Sequence, residues 1–212
     1  MNRNRLARRT ATAAAALISL GLVAAAPSAN AAEGTTSLAT VLTSGNQGFD
    51  KDTADYDVLT AAILAVQKAK PDSPVKVLTE GGTALTAFIP TDKAFMNLAT
   101  ALGGKKVTTE AAAFATVAGL GIPTVEKVLQ YHVVPGKAIM AADALKANGA
   151  KLKSALPGKT IGVVVVETPA SITLVDYNKK LPNPKVILSK VDINEGNMQI
   201  AHGIDAVLMP TK

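Results

Sequence analysis

The chain has 212 residues, of which 48% are hydrophobic and 18% are charged, with no cysteine, no tryptophan and a formal net charge of +6. The absence of cysteine excludes disulfides, thiolate chemistry and lipid attachment to a cysteine, and no basic cluster is interleaved with aromatic residues, which excludes a nucleic-acid interface of the usual kind. No apolar run after residue 31 approaches the roughly 20 residues that a bilayer requires, so we expect no membrane span.

Residues 1–31 have the pattern of a cleavable secretory signal, with an arginine-rich start, an alanine- and leucine-rich centre and an alanine on either side of Asn30. The twin-arginine route has a candidate in Arg8-Arg9, but TATAA replaces the apolar residues that should follow, which favours general secretion. Cleavage before Ala32 removes four of the 22 basic residues and lowers the formal charge from +6 to +2. We therefore expect a secreted, extracellular monomer, free or associated with the cell wall, and the leader is typical of bacterial proteins.

Residues 32–56 are polar around a small apolar island, LATVL, and we interpret them as an N-terminal extension that packs one short segment onto a single domain over 57–212. Helical spacing begins with that domain, since five apolar residues share one face and Asp57 can cap the start; these are Val58, Leu59, Ala62, Ile63 and Val66. The segments PVKVL and TALTAFI then predict two short strands.

A strand-to-helix junction follows in TAFIPTDKAFMNLATALGG. Pro90 ends the strand, Thr91 caps the helix, and the buried stripe consists of Phe95, Leu98 and Leu102. Further helices are predicted after Thr109, from Thr124 through Tyr131, and over residues 140–147.

The remainder predicts four strands: KTIGVVVVE, SITLVDY, KVILSKVDI and MQIAHGIDAVLM. Helices therefore come first and strands later, which indicates an α+β fold rather than a parallel βαβ design.

The two histidines of the chain are predicted to face the core. His132 follows Val125, Val128 and Leu129 on one helical face, and strand alternation places His202 beside Ile200 and Ile204. Neither histidine accompanies a recognisable nucleophile motif, so we expect hydrogen-bonded framework residues and no enzymatic activity.

Metal binding has two candidates in the sequence. His132 and His202 could pair, but no third ligand stands at an informative spacing. The segment DKDTADYD offers Asp50, Asp52, Asp55 and Asp57 as oxygen ligands, yet it lacks the glycine and the final glutamate of an EF-hand loop. We therefore expect helix capping and a solvated acidic loop, with no metal and no other cofactor.

Three segments in the same order resemble signatures of the fasciclin family: TAFIPTDKAF, VLQYHVVPGK and AHGIDAVLMP. The resemblance extends from about Asp57 to Pro210, with departures in EGNMQIAH, where the asparagine stands one place early, and in the longer NKKLPNP loop. It implies a wedge-shaped β-sandwich with a cluster of helices packed on its side.

The resemblance also implies roles for particular residues. Thr91, Asp92, Phe95, His132 and His202 would build the framework. The Tyr-His and Ile-Asp elements, which the family links to receptor contact, map to four residues: Tyr131, His132, Ile204 and Asp205.

The expected function is therefore a non-enzymatic adhesion or interaction module of the cell surface or extracellular matrix. Its partner would be an extracellular or cell-surface protein or polysaccharide. The alternative is an extracellular carrier of a small apolar ligand, a lipid or haem, held in the seam between the helices and the sandwich.

Overall fold

The computed structural model describes residues 34–46 and 48–211. The predicted signal sequence and its cleavage site lie outside these residues. The helices are α1 (Leu38–Gly45), α2 (Asp57–Ala69), α3 (Asp92–Gly103), α4 (Glu110–Ala118), α5 (Ile122–Tyr131) and α6 (Ala141–Ala144), with a 3₁₀ helix over Pro74–Thr79. The strands are β1 (Leu85–Pro90), β2 (Val133–Pro135), β3 (Lys151–Lys153), β4 (Thr160–Glu167), β5 (Ala170–Val175) and β6 (Gln199–Ile204).

Two three-stranded sheets form the β part of the α+β fold. The first has the order β2-β1-β6, in which β1 pairs antiparallel with β2 and parallel with β6. The second, β3-β4-β5, is antiparallel throughout. Both β1 and β6 are buried along their whole length, so the first sheet is covered on both faces.

The core has two parts, one on each face of the first sheet. Leu85, Ala87 and Ile89 of β1 pack with apolar residues of the helices α1 to α5. Phe88, which alternates to the opposite face, packs with residues of the second sheet such as Ile161 and Leu174. The described part of unit 32–212 is therefore layered as helices, first sheet, second sheet.

The extension contributes to this core directly. Ser37 caps α1 by accepting a hydrogen bond from the Thr40 amide, and Leu38 and Leu42 of the predicted apolar island are buried. Residue 34 forms a parallel bridge to Asn197. The described residues before α2 are thus packed onto the rest of the fold through α1.

Several predicted helices are confirmed with changed ends. The apolar face of α2 is buried as predicted, and Thr91 accepts a hydrogen bond from Ala94 N at the start of α3. The stripe of α3 ends one turn early, because the Leu102 side chain is 47% exposed. Helix α5 begins at Ile122 rather than Thr124, since Pro123 in its first turn has the fixed φ that suits a helix start.

The predicted strand PVKVL is wrong, because residues 74–79 form a 3₁₀ helix. Ser73 accepts a hydrogen bond from Val75 N and so starts a helical turn. Val75 and Leu78 are buried, and a spacing of three places both on one side of a 3₁₀ helix.

The predicted strand over 185–193 is also not continuous. The segment makes isolated bridges at Lys185, Val186 and Ile193, the first to β5 and the other two to β6. The closing strand ends at Ile204 instead of residue 209, since Asp205 turns its carboxylate to the amide of Lys185 at 2.7 Å.

Among the described residues, no single helix combines the length and apolarity needed to cross a bilayer. Helices α4 and α5 satisfy the criterion only as a pair, and the chain bends by 107° between them.

Candidate functional site

The His132 ring lies at the carboxyl end of α5 and is 4% exposed. Its Nδ1 lies 2.7 Å from the carbonyl oxygen of Val128, and its Nε2 accepts a hydrogen bond from the Leu208 amide at 3.0 Å. These partners assign the proton to Nδ1. Burial lowers the pKa of His132 to about 4, so the ring is neutral near pH 7.

His202 is held in the same manner on the other face of the first sheet. Its Nε2 lies 2.8 Å from the carbonyl oxygen of Ile139, and its Nδ1 faces the Asp192 amide at 3.3 Å. Burial lowers the pKa of His202 below its usual value. Because all four ring nitrogens of the two histidines are engaged by main-chain groups, neither ring is available as a metal ligand or general base in this arrangement.

Tyr131 and Ile204, which the resemblance assigns to partner contact, are both 0% exposed. The Tyr131 hydroxyl donates a hydrogen bond to the Thr160 carbonyl at 3.0 Å, and Ile204 packs between the sheets. The side chains of Tyr131, His132 and Ile204 are therefore not part of the surface that this structure presents to a partner. Asp205 is the one exposed member of the four.

Asp205 lines an open groove of about 470 Å³ between α3, the loop 181–185 and the chain after β6. Its lining combines polar and apolar side chains. The lining includes Asn97, Leu98, Leu181, Asn183, Lys185 and Val207. A concave surface of this composition is typical of sites that hold a protein or carbohydrate segment.

The seam that a carrier would need is nearly filled. The enclosed apolar cavity beside Phe88 and His202 has a volume of about 30 Å³, and the one beside His132 on the helical side has about 20 Å³. Each has room for about one water molecule, whereas pockets for drug-sized ligands measure roughly 300–1,000 Å³.

A second feature, which we call the carboxylate cluster, consists of Asp55, Asp92 and Glu110, each of which brings a carboxylate oxygen to within 4.8 Å of the others. Asp92 accepts hydrogen bonds from the amides of Asp57 and Val58 at 3.0 and 2.8 Å, and Glu110 accepts one from Asp50 N at 2.7 Å.

The electrostatics of the carboxylate cluster are unfavourable to full ionisation. Burial and a hydrogen bond with Asp55 raise the pKa of Asp92 to about 8. Burial, followed by the charges of Asp55, Asp50 and Asp57, raises the pKa of Glu110 above its usual value.

The sequence prediction that Asp57 caps α2 is wrong. Tyr56 is the N-cap residue, and the carboxylate that satisfies the first amides belongs to Asp92, 35 residues further along the chain. No local pattern could indicate this partner. Glu110 and Gln199 were missed for the same reason, because each joins segments that are distant in sequence.

The comparisons with known proteins agree with this architecture. The family model described as Fasciclin domain matches residues 57–210. Among solved structures, the chain is similar to a FAS1 domain pair from the insect cell adhesion molecule Fasciclin I, with 16% sequence identity and a TM-score of 0.55. The match covers 82% of this chain and 51% of that one, so this chain spans about half the length of the insect structure. A comparison with curated proteins finds no match.

Proposed function

The chain belongs to the fasciclin domain family, whose members are in general non-enzymatic adhesion or interaction modules, and from that premise we propose that it binds its partner through the groove at Asp205. The proposed module is secreted and acts at the cell surface or in the extracellular matrix. Its partner is an extracellular or cell-surface protein or polysaccharide.

One observation carries the choice of this surface. Of the four residues that the family resemblance relates to partner contact, Asp205 alone is exposed, and it lines the groove of about 470 Å³. Its carboxylate is held by the Lys185 amide at 2.7 Å. A charged group held in one orientation loses little conformational freedom on binding, which favours recognition.

The buried residues support this surface indirectly. His132 joins α5 to the segment after β6 through Leu208, and Val207 of the same segment lines the groove. The expected role of Tyr131, His132 and Ile204 is therefore to hold the groove wall rather than to touch the partner.

The test compares Asp205→Ala with His132→Ala. We expect Asp205→Ala to weaken binding to purified cell-wall or matrix fractions of the producing organism by 10-fold or more, measured by co-sedimentation. Its free energy of unfolding should change by less than about 1 kcal/mol, as for most exposed positions. Asp143→Ala, at an exposed site in α6, is the matched control and should change neither quantity.

His132→Ala should instead lower stability in urea denaturation. It leaves the Val128 carbonyl and the Leu208 amide without their partner, at a cost on the order of 1 to 3 kcal/mol for the hydrogen bonding alone. Binding should persist wherever the variant is folded. A His132→Ala protein with wild-type stability and no binding would contradict the framework role, and an Asp205→Ala protein with full binding would contradict the groove.

A further inference from the structure

The carboxylate cluster lies where three helices begin. Asp92 and Glu110 are the first residues of α3 and α4, and Asp55 lies two residues before α2. The loop that carries Asp55 also brings Asp50 to Glu110 through its amide. The arrangement gathers oxygen atoms from three separate parts of the chain around one small volume.

The buried member of the cluster with an unused ligand atom is Glu110. Glu110 is only 1% exposed, and its Oε1 has no hydrogen-bond partner among the described residues. The same holds for Oδ1 of Asp55. A buried carboxylate oxygen without a partner costs free energy, so the geometry points to a group that these oxygens bind.

The charge balance indicates the sign of that group. When Asp55, Asp92 and Glu110 are all ionised, the cluster carries three negative charges, whereas three helix N-termini supply only roughly +1.5 elementary charges in total. Within the described ranges, no lysine forms an ion pair with any of these three residues. A bound cation would offset the remaining repulsion.

We propose that Asp55, Asp92 and Glu110 bind one calcium ion, with Asp50 and Asp57 adjoining on the side of the loop. Calcium binds oxygen ligands at roughly 2.3–2.6 Å, so two ligands on opposite sides of the ion lie up to about 5 Å apart. The separation of at most 4.8 Å within the cluster fits that sphere. The donor set is entirely oxygen, which suits a hard cation and disfavours zinc or copper.

This calcium ion would join the loop over 50–57 to the starts of α3 and α4. The sequence prediction of no metal considered the two histidines and the aspartates of DKDTADYD, but not Asp92 and Glu110, which complete a ligand set that the loop alone lacks. The proposal does not depend on the partner-binding function of the groove.

Terbium luminescence provides a direct test on the full chain. Tyr56 adjoins Asp55, and the chain has three tyrosines and no tryptophan, so Tyr56 is the expected sensitiser of a Tb³⁺ ion in the cluster. We expect saturable Tb³⁺ emission that Ca²⁺ displaces, with Mg²⁺ at least 10-fold less effective. Tyr56→Phe should lose most of the emission.

Glu110→Gln removes the charge while retaining the shape of the side chain, and it should weaken Tb³⁺ and Ca²⁺ binding at least 10-fold. Glu167→Gln, at an exposed position in β4, is the matched control and should bind normally. Asp55→Asn serves as the second variant if Glu110→Gln does not fold. Emission that neither variant reduces would overturn the assignment.

Thermal unfolding gives an independent measurement. Extracellular calcium modules have dissociation constants of about 10⁻⁴ to 10⁻³ M, so 10 mM CaCl₂ should raise the melting temperature of the wild type by about 3 °C or more. The shift should disappear in Glu110→Gln and on chelation. Equal melting temperatures of the wild type with and without calcium would contradict the proposal.

Discussion

The His132 ring joins two main-chain groups that are far apart in the sequence, the Val128 carbonyl and the Leu208 amide 76 residues away from the ring. Its burial is predictable, because helical spacing places it with Val125 and Leu129. Its second partner is not predictable, since Leu208 lies in the irregular segment that follows β6 and the contact of Asp205 with Lys185. Local periodicity therefore indicates which side chains are buried and leaves their partners undetermined.

The depressed pKa of His132 predicts how stability depends on pH. The folded state holds the ring neutral down to about pH 4, whereas the unfolded chain protonates near pH 6.5. Because the unfolded state binds the proton first, stability is fully present above about pH 6.5 and is lost as the pH falls toward 4. This ring alone corresponds to roughly 3 kcal/mol over that window.

The measurement is urea denaturation between pH 4 and pH 7.5 on the wild type and His132→Asn. The variant should show a shallower loss of stability toward low pH, and the difference between the two curves cancels the carboxylates that titrate in both proteins. His202 acts in the same direction and accounts for part of the remaining slope. Parallel curves would show that His132 does not titrate in this range.

At the scale of elements, the sequence is a good guide where one face of an element is buried. The apolar faces of α2 and α5 predict helices that the structure contains. The sequence misleads where a segment is held by tertiary hydrogen bonds, as in 185–193, which makes one bridge to β5 and two to β6. The strand prediction for residues 74–79 is wrong for a local reason, because the apolar residues of PVKVL suit a strand and a 3₁₀ turn alike.

Gln199 connects three elements through one buried side chain. Its Oε1 accepts the Leu38 amide of α1 at 2.8 Å, and its Nε2 donates to the carbonyls of Val77 and Glu80 at 2.8 and 2.9 Å. Gln199→Met keeps the volume and removes these bonds. We expect a loss of about 1 to 3 kcal/mol per polar group left unsatisfied.

Hydrogen exchange locates the effect of Gln199→Met. The amides of α1 should exchange at least 10-fold faster. The amides of β4 and β5 should still exchange only through global unfolding, because these strands do not contact Gln199 in the described hydrogen-bond network. Gln130→Met in α5 is the control and should leave α1 unchanged. Uniformly faster exchange across both sheets would show that Gln199 stabilises the whole fold instead of one attachment.

At the scale of the whole molecule, the order of helices and strands together with the resemblance predicts the α+β fasciclin fold. The layering could not be derived in this way, because it depends on β1 being covered on both faces. The groove could not be predicted from the sequence either, because it combines α3 with the loop 181–185 and the chain after β6. Such surfaces arise only when distant segments meet.

The small cavities in the seam between the helices and the sheets predict that no haem or lipid is held there. Native mass spectrometry of protein recovered from its own host should give a monomer with the polypeptide mass from Ala32 and no organic ligand. Cavities of about 30 and 20 Å³ leave no room for one without rearrangement. A co-purifying lipid or porphyrin would support the carrier alternative instead.

The parallel pairing of β1 with β6 has a consequence for biosynthesis. Leu85 pairs with Gln199, so the two strands at the centre of the fold are 114 positions apart. Gln199 leaves the ribosome 114 residues after its partner Leu85, and until then β1 has no parallel neighbour and the helices have no complete sheet to cover. Non-local pairing of this kind slows folding because a long loop must close first. For a protein that we propose to be exported, such a delay would favour translocation of the chain before it folds.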